Sequence, residues 1–280
     1  SGSLRLGMRR FPNDDPISMS TCPVQSPKVQ VLVSTIEDEL NLRGIKPYDV
    51  QTRTGHLRHV IVETSGTDGP PPDAPMQMCT ARVTLAFGQP GSWEKLTHNL
   101  LKDQAHLSLV IDTLPYRGAG LSAQPKTIRG PRRLWVPLGP IGFGASPTVW
   151  IPTQLQSAEK IAEVALDWLA PDQGDTLLEI GCGMGSTSVK LAPHAKVHSV
   201  DCNRAAVEDS RYNAKRHGIT TAQFTQGYGE RALLRRVKRG DTVNLLCLHA
   251  MRRPYGPKMM TLISILKPRR LLYIAPNLKS

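Results

Sequence analysis

Apolar runs and amphipathic segments alternate most regularly in the second half of the chain, from Leu155 onward. Gln156–Ala170 has the spacing of an amphipathic helix, and short apolar runs then alternate with helical segments as far as the run at 269–275. The pattern predicts five strands with four intervening helices. Because parallel neighbours need helical crossovers, this order predicts an α/β fold with a doubly wound parallel sheet.

The first half alternates less regularly. It predicts a helix at 29–44, a strand at 58–65, a Pro/Gly loop at 66–77, a returning strand at 79–88, a helix at 92–103 capped by Ser92, and a strand at 107–115. Residues 116–147 are rich in Gly, Pro and Ser and predict an irregular linker with short strands. We therefore predict an α+β domain of the RNA-contact type over residues 1–147 and a Rossmann-like domain over residues 148–280.

Charge and cysteine content narrow the function classes. The 280 residues carry a net charge of +12 with a pI of about 9.7, which suits a polyanionic partner, although a merely soluble basic protein remains the alternative. No apolar run of about 18 residues predicts a membrane span. Five scattered cysteines without a C-x-x-C pair favour a reducing, intracellular compartment and argue against a structural metal site, so we expect no metal.

A glycine-rich loop offers the strongest candidate site. A predicted strand runs into Gly181, Gly183 and Gly185, an acid precedes them at Glu179, and a second acid, Asp201, closes the next strand. The E-x-G-x-G-x-G spacing belongs to class I S-adenosylmethionine-binding folds, and a carboxylate at Asp201 suits a ribose diol. The candidate cofactor-binding residues are Glu179, Gly181, Cys182, Gly183, Met184, Gly185 and Asp201. Alternatively, the loop is retained only as a turn and cofactor binding is lost; Gly227 stands where an adenine-holding acid is often found.

Several motifs resemble the RNA (uracil-5-)-methyltransferase family. The stretch "SPTVWIPTQ" (146–154) is similar to the family's Ser-Pro-x-x-Phe-x-Gln-x-Asn, "GCGMGS" (181–186) to its Phe-Cys-Gly-Met-Gly-Asn, and "NAKRHG" (213–218) to its Asn-Ala-x-x-Asn-Gly. The likeness extends weakly to the N-terminal half. It implies a class I, S-adenosylmethionine-dependent methyltransferase fold and an RNA partner.

The resemblance also implies that the family's chemistry is lost. In the family, a cysteine thiolate adds to carbon 6 of uracil and a carboxylate base later removes the carbon 5 proton. Pro276 occupies the nucleophile's position, Ala250 that of a substrate-facing Asp, and Pro152 that of the upstream Gln. We therefore expect a degenerate member without catalytic residues. Cys182, Cys202 and Cys247 are expected to pack as small apolar side chains.

Clustered arginines are the candidate RNA contacts, although a charge run is often only a solvated face. The candidates are Arg129, Arg132, Arg133, Arg231, Arg235, Arg236, Arg252 and Arg253. Residues Leu271–Ala275 predict an apolar strand at an open sheet edge, which invites a protein partner unless further chain covers it. We expect an inactive RNA-binding component of a ribonucleoprotein, with ribosomal RNA and a mitochondrial ribosome favoured. The alternatives are an active methyltransferase of rRNA or tRNA and a protein-interaction module without RNA.

Overall fold

A computed structural model describes residues 3–9, 16–19, 22–49, 51–67, 78–113, 121–122, 124–250 and 255–275. The chain forms two compact units, Ser1–Trp135 and Val136–Ser280. The division predicted after residue 147 stays a prediction about independent domains; in the structure, residues 136–147 group with the second unit. Among the helices in the described ranges, none combines the length and apolar composition that crossing a lipid bilayer requires.

The first unit is a mixed α+β structure. Its elements in chain order are β1 (Gly7–Arg9), β2 (Pro16–Ser18), α1 (Pro27–Leu42), β3 (Leu57–Thr64), β4 (Met78–Cys79), β5 (Ala81–Phe87), α2 (Trp93–Thr97), β6 (Leu107–Thr113), β7 (Lys126–Arg129) and the start of β8 (Arg133–Leu138). Four strands form a sheet in the order β3-β5-β6-β7. Helix α1, predicted from its apolar spacing and capped by Ser26, buries Leu32, Ile36 and Leu40 in the core of this unit.

Two expectations for the first half are corrected. The predicted helix at 92–103 ends at Thr97, and the Ser92 side chain makes no capping hydrogen bond. Leu101 adopts a positive φ of 55°, which a continuing helix excludes. The short strands predicted within residues 116–147 include residues 126–129, which form β7 and pair antiparallel with β6. The basic run at 126–133 therefore belongs partly to the sheet rather than to a connecting segment.

The second unit contains the predicted doubly wound sheet. Its elements are the end of β8, then β9 (Ile141–Ala145), α3 (Leu155–Leu169), β10 (Thr176–Ile180), α4 (Ser186–Leu191), β11 (Lys196–Asp201), α5 (Arg204–Arg216), β12 (Ala222–Gln226), α6 (Gly229–Arg239), β13 (Leu245–His249), α7 (Pro257–Leu266) and β14 (Arg270–Ile274). The strand order is β12-β11-β10-β13-β14 and every pairing is parallel. The five predicted strands and four intervening helices are confirmed.

Alternate residues of each strand face different helices. Leu177 and Leu245 pack in a cluster with α3 and α4, whereas Leu178 and Leu246 pack in a cluster with α6 and α7. From β10 the chain adds β11 and β12 on one side of the sheet and then crosses over to add β13 and β14 on the other, so the strand order reverses at β10. Ligands of open α/β sheets bind outside the carboxyl ends of the strands at such a reversal.

Strand β14 is the last strand of the sheet within the described residues. Its Leu272 is buried, whereas Leu271 is 47% exposed. Within the predicted edge at Leu271–Ala275, Leu271 and Ala275 are thus exposed, and Tyr273 and Ile274 are half-buried. Pro276, Arg252 and Arg253 lie outside the described residues.

Candidate functional site

The glycine loop lies at the carboxyl end of β10, at the reversal point. Gly181, Gly183 and Gly185 have φ values of 83°, 54° and 83°, a region that favours glycine. A Cβ at Gly181 would come within 3.0 Å of the His249 carbonyl oxygen, and one at Gly185 within 3.1 Å of Ser210. The backbone angle thus favours glycine at all three positions, and limited space favours it at Gly181 and Gly185 as well. The loop leads directly into α4.

Asp201, the last residue of β11, holds this loop in place through hydrogen bonds. One carboxylate oxygen accepts the Gly183 N–H at 2.9 Å, and the other accepts the Asn203 N–H at 2.8 Å. The side chain is half-buried. Each carboxylate oxygen can accept a further hydrogen bond. Asp201 is therefore both a support of the loop and an acceptor still open to a ligand hydroxyl.

Two of the predicted cofactor-binding residues contribute backbone rather than side chain. Cys182 and Met184 are only 6% and 3% exposed and pack in the core beside α5. Burial raises the pKa of the Cys182 thiol well above its usual value, with Glu179 and Asp201 adding to the effect. Cys182 is therefore protonated at neutral pH.

Glu179 is a buried acid whose carboxylate is hydrogen-bonded within the protein, and its assignment to the cofactor stays a prediction. Its side chain is fully buried, and its carboxylate accepts hydrogen bonds from Ser188 and from Ser199 (2.8 Å). Its other oxygen lies 3.0 Å from His249 Nε2. Burial opposes ionisation, but His249 and the two serines outweigh it and lower the pKa of Glu179.

His249 completes this buried cluster and has no counterpart in the sequence prediction. Burial alone would lower its pKa, but Cys247 and the Glu179 carboxylate raise it well above the usual value, so we assign an imidazolium–carboxylate pair. Cys247 Sγ lies 3.6 Å from His249 Nε2. The ligand-type atoms of Glu179, Cys247 and His249 all lie within 4.8 Å of one another, so these residues could together hold a metal ion. The expectation of no metal stays a prediction.

The Ser-Pro motif is fastened to the buried face of α5. The Ser146 backbone N–H and hydroxyl both donate to the carboxylate of Asp209, at 2.6 and 2.8 Å. Asn213 donates to the carbonyls of Gly144 and Met184 and accepts the Gly144 N–H. Asn213 therefore links the end of β9 to the glycine loop. The roles of Asp209 and Asn213 were missed, although their spacing of four places both on one helical face.

At the positions that correspond to the family's catalytic residues, the described residues carry no reactive side chain. Ala250 is buried directly after β13, and its N–H bonds to the Ile274 carbonyl at 2.8 Å. Burial raises the pKa of Cys247 and of Cys202 as well as that of Cys182. Cys247 packs in the core as expected, but Cys202 is exposed, so its predicted apolar packing is wrong.

The candidate RNA contacts in the first unit differ in availability. The Arg129 guanidinium donates to the carbonyls of His98 (2.9 Å), Leu100 (2.6 Å) and Leu101 (3.0 Å), and so closes the turn after α2. Arg132 is exposed and Arg133 half-buried. Arg129 is thus engaged by carbonyl groups of the protein itself, and the assignment of these arginines to RNA stays a prediction.

In the second unit, Arg231, Arg235 and Arg236 extend from α6. Arg231 is exposed and lies over the Tyr228 ring, 5.7 Å from its centroid. Arg235 is exposed, whereas half-buried Arg236 pairs with Asp241 at 2.9 Å and contacts His198. The structure therefore brings these three onto one helix beside the sheet.

A family model described as a methyltransferase domain matches residues 171–275, which span β10 to β14. A crystal structure of a Pyrococcus abyssi tRNA (uracil-54, C5)-methyltransferase in complex with S-adenosyl-L-homocysteine aligns with a TM-score of 0.70, at 15% identity, over 94% of this chain and 61% of that one. The chain has the class I methyltransferase fold.

The sequence relatives extend the match through the first unit. An uncharacterized RNA methyltransferase of Listeria innocua is 25% identical over 280 residues, covering 99% of this chain and 60% of the relative. One of Bacillus cereus is 23% identical over 278 residues, covering 99% and 59%. The resemblance to RNA methyltransferases is thus confirmed. The chain spans about three fifths of the length of these relatives.

Proposed function

We propose that this chain binds RNA through its basic surface and does not methylate carbon 5 of uridine by thiolate addition. The observation that carries the proposal is the contrast between an intact glycine loop and the residues at the chemical positions. Ala250 replaces the substrate-facing acid, and Pro276 the nucleophile. Proline has no thiol, hydroxyl or N–H with which to act on a base.

The remaining thiols of the methyltransferase domain do not offer a substitute. The pKa values of Cys182, Cys202 and Cys247 are all raised, chiefly by burial. The attacking species in thiol addition is the thiolate, which such groups populate little at neutral pH. Cys182 and Cys247 are also closed off from any base by burial.

The cofactor site fits S-adenosylmethionine. The backbone of Gly181–Gly185 and the carboxylate of Asp201 would hold it, since the glycines leave space for close approach and Asp201 keeps acceptor capacity. When bound, S-adenosylmethionine supplies a methyl group on sulfonium. Glu179 supports the loop from below through Ser188, in the first turn of α4.

The same geometry favours a second candidate, methylation of a different RNA atom, such as a nitrogen or a ribose hydroxyl, which needs no thiol. Calorimetry tests it by titrating S-adenosylmethionine into the wild type and the variant Asp201→Asn. We expect the variant to bind at least about tenfold more weakly, since a charged acceptor is lost. The control Asp167→Asn removes an exposed acid from α3. No binding by the wild type at millimolar cofactor rules this candidate out.

The proposal extends to a ribonucleoprotein, with ribosomal RNA as the favoured RNA and a mitochondrial ribosome as the favoured assembly. Its support is the exposed Leu271 on the outer strand β14, which a protein partner could cover by strand addition. The net charge of +12 suits a site surrounded by phosphates.

RNA binding is tested by fluorescence anisotropy with a labelled single-stranded RNA over a range of salt concentrations. We expect the logarithm of the association constant to fall linearly with the logarithm of salt, by about 0.7 for each phosphate contact. A lack of binding at low salt favours a protein-interaction module instead.

A further inference from the structure

A polar groove lies on the α6 side of the methyltransferase domain, away from the cofactor loop. Its cavity volume is about 300 Å³, and its floor includes His198 of β11 with Gln223 and Thr225 of β12. Arg235 and Arg239 of α6 form the opposite wall. Along β11 the groove is lined by His198 and Val200, on the face of the sheet that α6 covers, and its lining includes none of Gly181–Gly185.

The hydrogen bonds at the floor fix which groups face the groove as donors. Arg236 donates to His198 Nδ1, so this nitrogen carries no proton, and the histidine is neutral with its proton on Nε2. Burial and the two neighbouring arginines lower the pKa of His198, in agreement with this state. Nε2 then donates to Thr225 Oγ1, 3.0 Å away. The Thr225 hydroxyl proton is left to donate elsewhere.

The positively charged side chains that line the groove outnumber the negatively charged ones. Arg236 is paired with Asp241 at 2.9 Å and is thereby held in place. Within the described part of the chain, the guanidinium groups of Arg235 and Arg239 make no hydrogen bond or ion pair, and both side chains are exposed. Three guanidinium groups thus face one carboxylate, and two of them have all their donors available. This excess of positive charge favours the binding of an anion.

The shape and composition indicate a phosphate group on a chain. Guanidinium groups bind phosphate oxygens through paired N–H donors, and a neutral hydroxyl and amide at the floor add further polar contacts. Among the described lining residues, His198 is the only ring, and its edge is used up in hydrogen bonds, so no platform for base stacking is present. We therefore expect this groove to contact the phosphate backbone of a nucleic acid rather than its bases.

We propose that this groove, formed by Thr225, Gln223, Arg235 and Arg239, holds a phosphodiester group of an RNA strand, at a contact separate from the cofactor-facing edge. The inference rests on the proposed RNA binding and specifies where one part of it occurs. It also predicts that this contact is insensitive to RNA sequence, because no base edge is read.

The test compares two double variants that lose the same charge. Arg235→Gln with Arg239→Gln empties the groove of its available guanidinium groups, whereas Arg204→Gln with Lys238→Gln removes two exposed cations outside it. The affinity of each full chain for a labelled 20-nucleotide single-stranded RNA is measured against salt, with circular dichroism to check folding. We expect the groove variant to bind about tenfold more weakly and its salt slope to fall by about 0.7, the single-strand value for one phosphate contact. We expect a smaller change in the control.

Modification of arginine side chains by phenylglyoxal, with and without RNA, supplies a second readout that needs no variant. We expect RNA to slow the modification of Arg235 and Arg239. Equal losses in the two double variants, or modification of Arg235 and Arg239 at an unchanged rate when RNA is bound, overturn the groove while leaving RNA binding intact. A wild type that binds no RNA at low salt instead overturns the proposed function itself, so the two failures are distinguishable.

Discussion

At the scale of the residue, the buried acid Glu179 shows that a motif position can predict the fold while the partners of its side chain stay hidden in the sequence. An acid two residues before the glycine loop was assigned to the cofactor, yet its carboxylate is fully enclosed by Ser188, Ser199 and His249. None of these partners is adjacent to it in sequence, so spacing alone could not reveal them. Asp201, in contrast, ends a strand beside the loop, and its position was predictable.

The variant Glu179→Gln tests the energetic role of this cluster. Removing the charge leaves a half-buried imidazolium without its partner, so we expect a clear loss in the free energy of unfolding, of about 1–3 kcal/mol. Urea denaturation followed by circular dichroism measures this loss. The control Glu163→Gln breaks an exposed pair with Lys160 (2.9 Å) and is expected to leave the free energy of unfolding nearly unchanged. Similar losses in both variants would show that the Glu179–His249 pair contributes no more to stability than an exposed ion pair.

The pH dependence of stability follows from the same pair. The pKa of His249 is raised from 6.5, so its contribution is complete below pH 6.5 and is lost as the pH rises through the folded value. The pKa of Glu179 is lowered from 4.5, so its contribution is complete above pH 4.5 and is lost as the pH falls through the folded value. Both are present between pH 4.5 and 6.5.

Comparison of the wild type with His249→Gln therefore has a predicted shape. We expect the difference in melting temperature to be largest between pH 4.5 and 6.5 and to shrink steadily toward pH 9. The control His194→Gln replaces an exposed histidine and is expected to show no such maximum. A difference that grows with alkaline pH would contradict the imidazolium assignment.

At the scale of the element, α5 couples the Ser-Pro motif to the cofactor loop. Its apolar spacing predicted a helix, but the polar residues on its buried face, Asp209 and Asn213, bond to segments 63 and 69 residues away in sequence. Such contacts depend on the tertiary fold and carry no local signal. The short strands β7 and β9 were missed as sheet components for a similar reason, because their Gly- and Pro-rich surroundings suggested a linker.

The variant Asn213→Ala tests this coupling. It leaves the carbonyls of Gly144 and Met184 without their donor, so we expect a loss of about 1–3 kcal/mol. Hydrogen exchange should speed up in residues 141–149 and 181–186 together. Lys215→Ala, on the exposed side of the same helix, is the control. Faster exchange in only one of the two segments would contradict a link through Asn213.

At the scale of the whole molecule, the class I fold was predictable because its five strands and four helices each carry a clear periodic signal. The likeness to RNA methyltransferases followed from three short motifs in the same half of the chain. What sequence could not give was the distribution of charge over the surface. Arg129 and Arg236 are engaged within the protein, whereas Arg235 and Arg239 face an open groove. The basic character of the chain thus concerns particular faces, not its total charge alone.

We propose that the chain keeps the cofactor-binding loop but lacks the residues that methylate carbon 5 of uridine. The most direct measurement incubates the pure full chain with S-adenosylmethionine carrying a labelled methyl group and total RNA lacking 5-methyluridine, then analyses the nucleosides by mass spectrometry. The account predicts no labelled 5-methyluridine, while label on another nucleoside supports the second candidate. Labelled 5-methyluridine formed in proportion to the protein would contradict the account.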